Sequence, residues 1–206
     1  MNKGTILVLA GLCLSGTAST QSVATSDKTK SAPRATEIAK FFIEEPKKDP
    51  PYETGPLHIV YSDGTESTQT LPPYRAGTDK EAVFNDVGFS EVQLAEDRQT
   101  LGWTVDVENC CTSYPIPLRL AVFRHDHVLH IFQHGLMIWD WMFVQGGKQV
   151  AIVFGTVRGT EVSDYRLYDV ETGKLISEAS GDVETQSLPA EAPEWAKRVE
   201  NRLDKK

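Results

Sequence analysis

Cysteine and positive charge are both scarce in this sequence. Only three of the 206 residues are cysteines, and two of them are adjacent. So few thiols exclude a fold that is stapled by several disulfides in place of a large core. Lys and Arg number 21 against 29 Asp and Glu, a net charge of −8. Since nucleic acids and anionic membranes bind basic clusters, we expect neither as a partner, and predict a protein or small-molecule ligand instead.

Long apolar runs are missing as well. The longest, Ile6–Leu14, is shorter than the roughly 20 residues that a transmembrane helix needs. Lys3 precedes this run and small residues follow it, a pattern typical of a secretory signal peptide over residues 1–18, cleaved after Ala18. We therefore predict export to the periplasm or the extracellular space. A lipid anchor at Cys13 is the less favoured alternative. Lipid-attachment signals have Gly, Ala or Ser directly before the cysteine, whereas this sequence has Leu12 there.

The remaining chain divides by composition. Residues 19–55 are polar and predict a disordered linker, with one short helix over 35–44 where Ile38, Phe41 and Phe42 share a helical face. Residues 56–182 predict a β domain. The tail 183–206 carries a second predicted helix, because Trp195 and Val199 recur at a spacing of four.

The β domain shows strand and turn signals at regular spacing. Residues 57–71 predict a hairpin around Asp63-Gly64, a pair that tolerates positive φ. Another short helix is predicted at 79–84. Apolar alternation then predicts eight strands. These are about 89–95, 99–107, 118–124, 127–132, 139–145, 148–156, 163–170 and 174–179.

Two stretches of this domain echo each other. Leu94–Trp103 (LAEDRQTLGW) and Phe143–Ile152 (FVQGGKQVAI) lie 49 residues apart and define four-stranded units over 87–132 and 137–180. Both resemble the inner strands of TolB-type, WD40-like β-propeller repeats, with Asp97 at the turn aspartate, although neither copy keeps the Ser-Pro of that motif. The resemblance implies a fold and no catalytic residue. We expect Asp97 to hydrogen-bond backbone amides two residues on.

The fold prediction is mainly β: antiparallel sheets from two propeller-blade-like four-stranded units plus an N-terminal hairpin, with short flanking helices. A propeller needs 4–8 blades, so a closed ring does not fit in one chain. Either the sheets pack face to face within the monomer, which we favour, or copies associate through their sheet edges.

Histidines cluster at one predicted hairpin. Imidazole suits zinc and copper, so this group is a candidate metal site, with an exposed polar turn as the plainer interpretation. The candidate ligands are His125, Asp126, His127, His130 and His134.

The adjacent Cys110 and Cys111 are the only thiols after cleavage. In an oxidising compartment we expect them to pair with each other. Neighbouring Cα atoms lie about 3.8 Å apart, closer than disulfides prefer, so this bond would be strained and easy to reduce. The loop also contains Tyr114 and either rigidifies the surface or forms a redox or ligand-contacting site.

Trp139 and Trp141 flank Asp140 and, in a regular strand, share one face. Such aromatics usually pack between sheets; an exposed sugar-binding platform is the alternative.

No enzyme motif is present: the sequence lacks Gly-x-Ser-x-Gly, a glycine-rich phosphate loop and His-Glu-x-x-His. We therefore favour an exported, non-catalytic binding or scaffold protein. A metal- or redox-dependent envelope enzyme, centred on the histidines or the cysteine pair, is the alternative.

Overall fold

Three antiparallel sheets and one short helix make up the described part of the chain. The computed structural model describes residues 36–45, 54–71, 85–108, 112–157, 163–181 and 187–205. Several sequence predictions lie outside these ranges: the signal peptide over 1–18, disorder over 19–34, the helix at 79–84 and the pairing of Cys110 with Cys111.

Within the described residues, eleven strands form the sheets. The N-terminal sheet comprises β1 (Ile38–Ile43), β2 (Leu57–Tyr61) and β3 (Glu66–Gln69). The middle sheet comprises β4 (Asn85–Leu94), β5 (Leu101–Glu108), β6 (Ile116–Arg124) and β7 (His127–Phe132). The C-terminal sheet comprises β8 (Met137–Val144), β9 (Gln149–Gly155), β10 (Asp164–Asp169) and β11 (Leu175–Ser180). Helix α1 spans Glu194–Leu203.

Each sheet is a simple meander, in which strands that are consecutive in sequence are hydrogen-bonded neighbours. The middle and C-terminal sheets confirm the prediction of two four-stranded antiparallel units. The predicted N-terminal hairpin is also present as β2 and β3, but a further strand, β1, pairs with β2.

The predicted helix over 35–44 is wrong, because residues 38–43 form β1. A β-bulge at Ala39 explains the misleading pattern. The extra residue shifts the strand's alternation, so Ile38 and Phe41 both face the core although they are three residues apart. Phe42 points away from the core and is 44% exposed. A bulged strand thus reproduces part of a helical spacing.

The layers stack in the order N-terminal sheet, middle sheet, C-terminal sheet, α1. Leu57 and Ile59 pack against Trp103 on one face of the middle sheet. On its other face, Leu120 and Val122 pack against the C-terminal sheet. Because the middle sheet is covered on both sides, β5 is buried along nearly its whole length.

Helix α1 covers the outer face of the C-terminal sheet. Ala196 and Val199 are fully buried there against Val153, Tyr165 and Leu167. The helix therefore occupies the face on which a further sheet of the stack would lie. The described residues include no helix with both the length and the apolarity to cross a membrane.

The turns between strands rely on short aspartate-centred hydrogen bonds. Asp97 Oδ1 accepts hydrogen bonds from the backbone N–H groups of Gln99 and Thr100, both at 2.9 Å. This confirms the structural role predicted for Asp97. Asp63 and Asp169 accept from a following threonine in the same manner. Such bonds satisfy turn amides that have no ladder partner.

Sheet edges in the described residues are irregular. Five of the six edge strands, β1, β4, β7, β8 and β11, contain a β-bulge. Bulges interrupt the regular row of unpaired backbone groups that another strand would use. This geometry favours sheets that stack within one chain, while association of copies through their edges stays a prediction.

Candidate functional site

A cleft of about 340 Å³ opens at the end of the middle sheet where β6 begins and β7 ends. Its size falls within the range of small-molecule sites, about 300–1,000 Å³. A β-bulge at Leu118 lies in its wall, since Arg119 pairs with Val105 while Pro117 pairs with Asp106. The lining residues are Leu118, Arg119, Gln133, His134 and Gly135.

Arg119 is fixed in the cleft wall by a two-pronged ion pair. Its Nη1 donates to Asp86 Oδ2 at 3.0 Å, and its Nη2 donates to the other oxygen of the same carboxylate. The Asp86 side chain is only 7% exposed. Burial raises the pKa of this carboxyl above its usual value, although Arg119 opposes the shift. The planar guanidinium is thereby held in one orientation on the cleft wall.

His134 links the cleft to the C-terminal sheet. Arg166 Nη2 donates to His134 Nε2 at 2.6 Å, and Asp164 Oδ2 lies 3.3 Å from the same nitrogen. A guanidinium can only donate, so in its contact with Arg166 His134 Nε2 is the acceptor. The Phe154 ring packs against the His134 ring, with 5.6 Å between the ring centroids. The cleft thus combines a fixed guanidinium, an imidazole and the apolar side chain of Leu118 at one site.

Tyr114 lies at the same end of the middle sheet, in the segment that leads into β6. This residue is 54% exposed, and Thr112 Oγ1 donates to its backbone carbonyl at 2.5 Å. Cys110 and Cys111, which precede it, lie outside the described residues. The cleft and the described part of this loop therefore share one end of the sheet.

The histidine-rich hairpin forms the opposite end. His125 and Asp126 both have positive φ, 53° and 63°, which is the geometry of a two-residue type I′ turn. His127 Nδ1 donates to the His125 carbonyl at 2.8 Å. All three are exposed.

Glu171, in the turn between β10 and β11, joins this hairpin to the C-terminal sheet. Its carboxylate lies 3.7 Å from His125 Nε2, and its backbone carbonyl accepts from His130 Nε2 at 3.1 Å. Arg124 donates to two carboxylates. Its Nη1 lies 3.5 Å from Glu171 Oε2, and its Nη2 lies 3.1 Å from Asp97 Oδ2. These contacts tie the turns of two sheets together.

The predicted metal ligands are divided between the two ends of β7. His125, Asp126 and His127 lie around its start, whereas His134 lies beyond its end. In the part of the chain that the structure describes, no three His, Cys, Asp or Glu side chains are grouped to hold a metal ion. Zinc or copper binding by these residues stays a prediction.

The prediction that Trp139 and Trp141 share one face of a strand is wrong. Trp139 is the extra residue of a β-bulge, so the two rings point to opposite sides of β8. Trp141 is fully buried against the middle sheet, whereas Trp139 packs on the α1 side over Gly155. Both tryptophans therefore serve packing, and no shared sugar-binding platform forms from them.

Sequence reasoning missed the cleft itself. The ion pair of Asp86 with Arg119 joins residues 33 apart, and the pairing of His134 with Arg166 joins residues 32 apart. Neither pair stands at a motif spacing. The only local signal is the alternation of β6, which places Arg119 between apolar neighbours.

No protein-family model matches the chain, and no match is found among curated proteins.

Proposed function

We propose that this chain is an exported, non-catalytic binding or scaffold protein that holds a small ligand or a peptide side chain in the cleft at Arg119 and His134. The cleft carries the proposal. It is concave, partly apolar, and contains few but oriented polar groups, which is the usual composition of a binding pocket.

The electrostatics of the cleft favour recognition over reaction. Arg119 is neutralised by Asp86, and Arg166 by Asp164 at 2.9 Å. His134 Nε2 is occupied by Arg166, so this nitrogen is not available as a base in the present arrangement. The cleft therefore offers hydrogen-bonding edges on a rigid wall, next to the apolar surface of Leu118.

The stacked sheets supply the scaffold. The cleft is lined by β6 and by the residues that follow β7, and the neighbouring Leu120 and Phe132 of these strands are buried against the C-terminal sheet. Sites on rigid strands hold a ligand with little loss of conformational entropy. The resemblance of the two four-stranded units to propeller repeats implies no catalytic residue.

Binding can be tested by two-dimensional NMR with a library of small polar fragments. We expect amide shifts to concentrate on Leu118, Arg119 and residues 133–135. His134→Ala should weaken those shifts, whereas His127→Ala, at the opposite end of β7, should leave them unchanged. Shifts scattered over other surfaces, or none at all, would contradict the proposed cleft.

Export is tested separately by N-terminal sequencing of the chain recovered from the periplasm or medium of a bacterial host. The proposal predicts Ser19 as the first residue and retention of the uncleaved chain when Ala18→Arg blocks the cleavage position. An intact Met1 in a cytoplasmic fraction would remove export from the proposal.

A further inference from the structure

A charged cluster outside the cleft lies on the outer face of the N-terminal sheet. His58, on the central strand β2, stands between Glu44, directly after β1, and Glu66, the first residue of β3. Its Nε2 lies 2.9 Å from Glu44 Oε1, and its Nδ1 contacts Glu66 Oε1. One imidazole thus joins carboxylates from the segments on both sides of its own strand.

The protonation state follows from these contacts. A carboxylate accepts hydrogen bonds, and a neutral imidazole has one N–H group, so it can donate to only one carboxylate. Only the imidazolium has N–H groups on both nitrogens. The observed arrangement therefore fits the charged ring, and deprotonation would leave one carboxylate facing a nitrogen lone pair.

The surroundings of His58 also favour the charged ring. The Phe42 ring stacks on the imidazole at 4.7 Å between centroids, with 7° between the planes. The hydrogen bond with Glu66 raises the pKa of His58 most, partial burial opposes it, and Glu44 raises it further. Only 14% of the His58 side chain is exposed.

The charged groups facing His58 come from each neighbouring segment. Glu44 follows β1, Glu66 belongs to β3, and the Lys40 ammonium of β1 lies 6.0 Å from the Phe42 ring centroid. Thr68 Oγ1, also on β3, is 3.4 Å from His58 Nδ1. Within the described residues the two carboxylates outweigh the one ammonium, which stabilises a positive ring.

We propose that His58 is a proton-operated clamp that fastens β1 and β3 to β2 when the ring is charged and releases them as the pH rises. The backbone ladder with β2 holds β1 along its length, and at its start Arg98 Nη2 also donates to the Ile38 carbonyl at 2.9 Å. The clamp acts at its end, next to Glu44. An exported protein with this clamp would hold β1 and β3 more tightly in acidic surroundings.

The direction of the pH dependence follows from the raised pKa of His58. A histidine whose pKa is higher in the folded chain than in the unfolded chain stabilises the fold fully below the unfolded value, near 6.5. That contribution disappears as the pH rises through the folded value. The clamp therefore stabilises the fold more as the pH falls. A histidine buried in its neutral form would have the opposite pH dependence.

The test combines proton NMR of the histidine ring with hydrogen exchange on the full chain after signal removal. We expect His58 to titrate above 6.5 and Glu66→Gln to lower its pKa more than Glu44→Gln does. Exchange of the β1 and β3 amides, corrected for intrinsic rates, should accelerate several-fold between pH 5.5 and pH 8.5 in the unsubstituted protein.

His58→Gln keeps polar contacts but cannot titrate, so its corrected exchange rates should be equal at both pH values. His127→Gln, an exposed histidine on the hairpin, is the matched control and should behave as the unsubstituted protein. A His58 pKa at or below 6.5 would overturn the clamp. The clamp would also be overturned if the exchange rates of the β1 and β3 amides changed with pH by the same factor in His58→Gln as in the unsubstituted protein. The ring titration is measured without substitution, so it decides the question even if a variant fails to fold.

Discussion

Gly147, in the turn between β8 and β9, lies directly against Asp97, in the turn between β4 and β5. A Cβ atom added to Gly147 would be 2.8 Å from Asp97 Oδ2 and 2.8 Å from the Ala95 Cβ. The two echoing segments of the sequence thus meet at their turns. Gly147 also has a φ of 91°, a conformation that favours glycine.

Replacement of Gly147 by alanine tests this contact. We expect Gly147→Ala to lower the free energy of unfolding by about 2–4 kcal/mol, because backbone strain and a steric clash add together. Gly146→Ala is the matched control: its φ is 66°, but nothing lies within 4 Å of the added Cβ. That control should cost about 1 kcal/mol. Equal losses for both variants in urea denaturation would argue against contact between the turns.

The attachment of α1 depends on Arg202. Its Nε lies 3.3 Å from Asp140 Oδ2, whose side chain is fully buried, and its Nη1 donates to Gln93 at 2.8 Å. Arg202→Met removes the charge near a buried carboxylate and should cost about 2 kcal/mol, less than a fully buried pair because the arginine is partly exposed. Arg198→Met, on the exposed side of the same helix, should change stability by less than about 0.5 kcal/mol. Thermal unfolding of both variants measures the difference.

Tyr165 gives a prediction at alkaline pH. Burial, with Glu200 nearby, raises the pKa of Tyr165 from 10.0 to about 12. Between these values the unfolded chain loses the tyrosine proton while the folded chain keeps it, so this residue makes the fold less stable as the pH rises. Tyr165→Phe should therefore lose stability less steeply than the unsubstituted protein between pH 9.5 and 11.5. Tyr114→Phe, at an exposed position, should follow the unsubstituted protein; a Tyr165→Phe curve of the same slope would refute the prediction.

The cysteine pair gives a chemical prediction that comes from the sequence alone. If Cys110 and Cys111 pair after export, the denatured, unreduced chain should gain no carbamidomethyl group from iodoacetamide. After reduction it should gain two, as read by intact mass. The strain of a bond between adjacent residues should make reduction easy, so mild reductant should suffice. Two groups gained before reduction would show free thiols.

Much of the strand pattern could be predicted because it depends on local alternation. Leu101, Trp103 and Val105 alternate in sequence and all three are buried on one face of β5. The His-Asp turn at 125–126 was also visible, since β7 begins at the predicted residue, His127. Period-two patterning survives wherever the ladder is regular.

Bulges explain where the prediction failed. At Ala39 and at Trp139 an extra residue changes which face the following side chains occupy. The cause is a backbone register shift set by the neighbouring strand, so the sequence of the bulged strand does not reveal it. The cleft was not predicted for a related reason: Arg119 lies next to Asp86 only when β4, β5 and β6 are paired.

The most direct measurement concerns the contact between Gly102 of β5 and Trp141 of β8, on which the stacking of the middle and C-terminal sheets depends. A Cβ atom added at Gly102 would lie 2.6 Å from Trp141 Cη2. In an isotope-labelled sample, the Gly102 Hα protons should show strong nuclear Overhauser effects to the six-membered ring of Trp141 and upfield ring-current shifts. Trp141 ring contacts to Val199 of α1, with none to Gly102, would contradict the stacked arrangement.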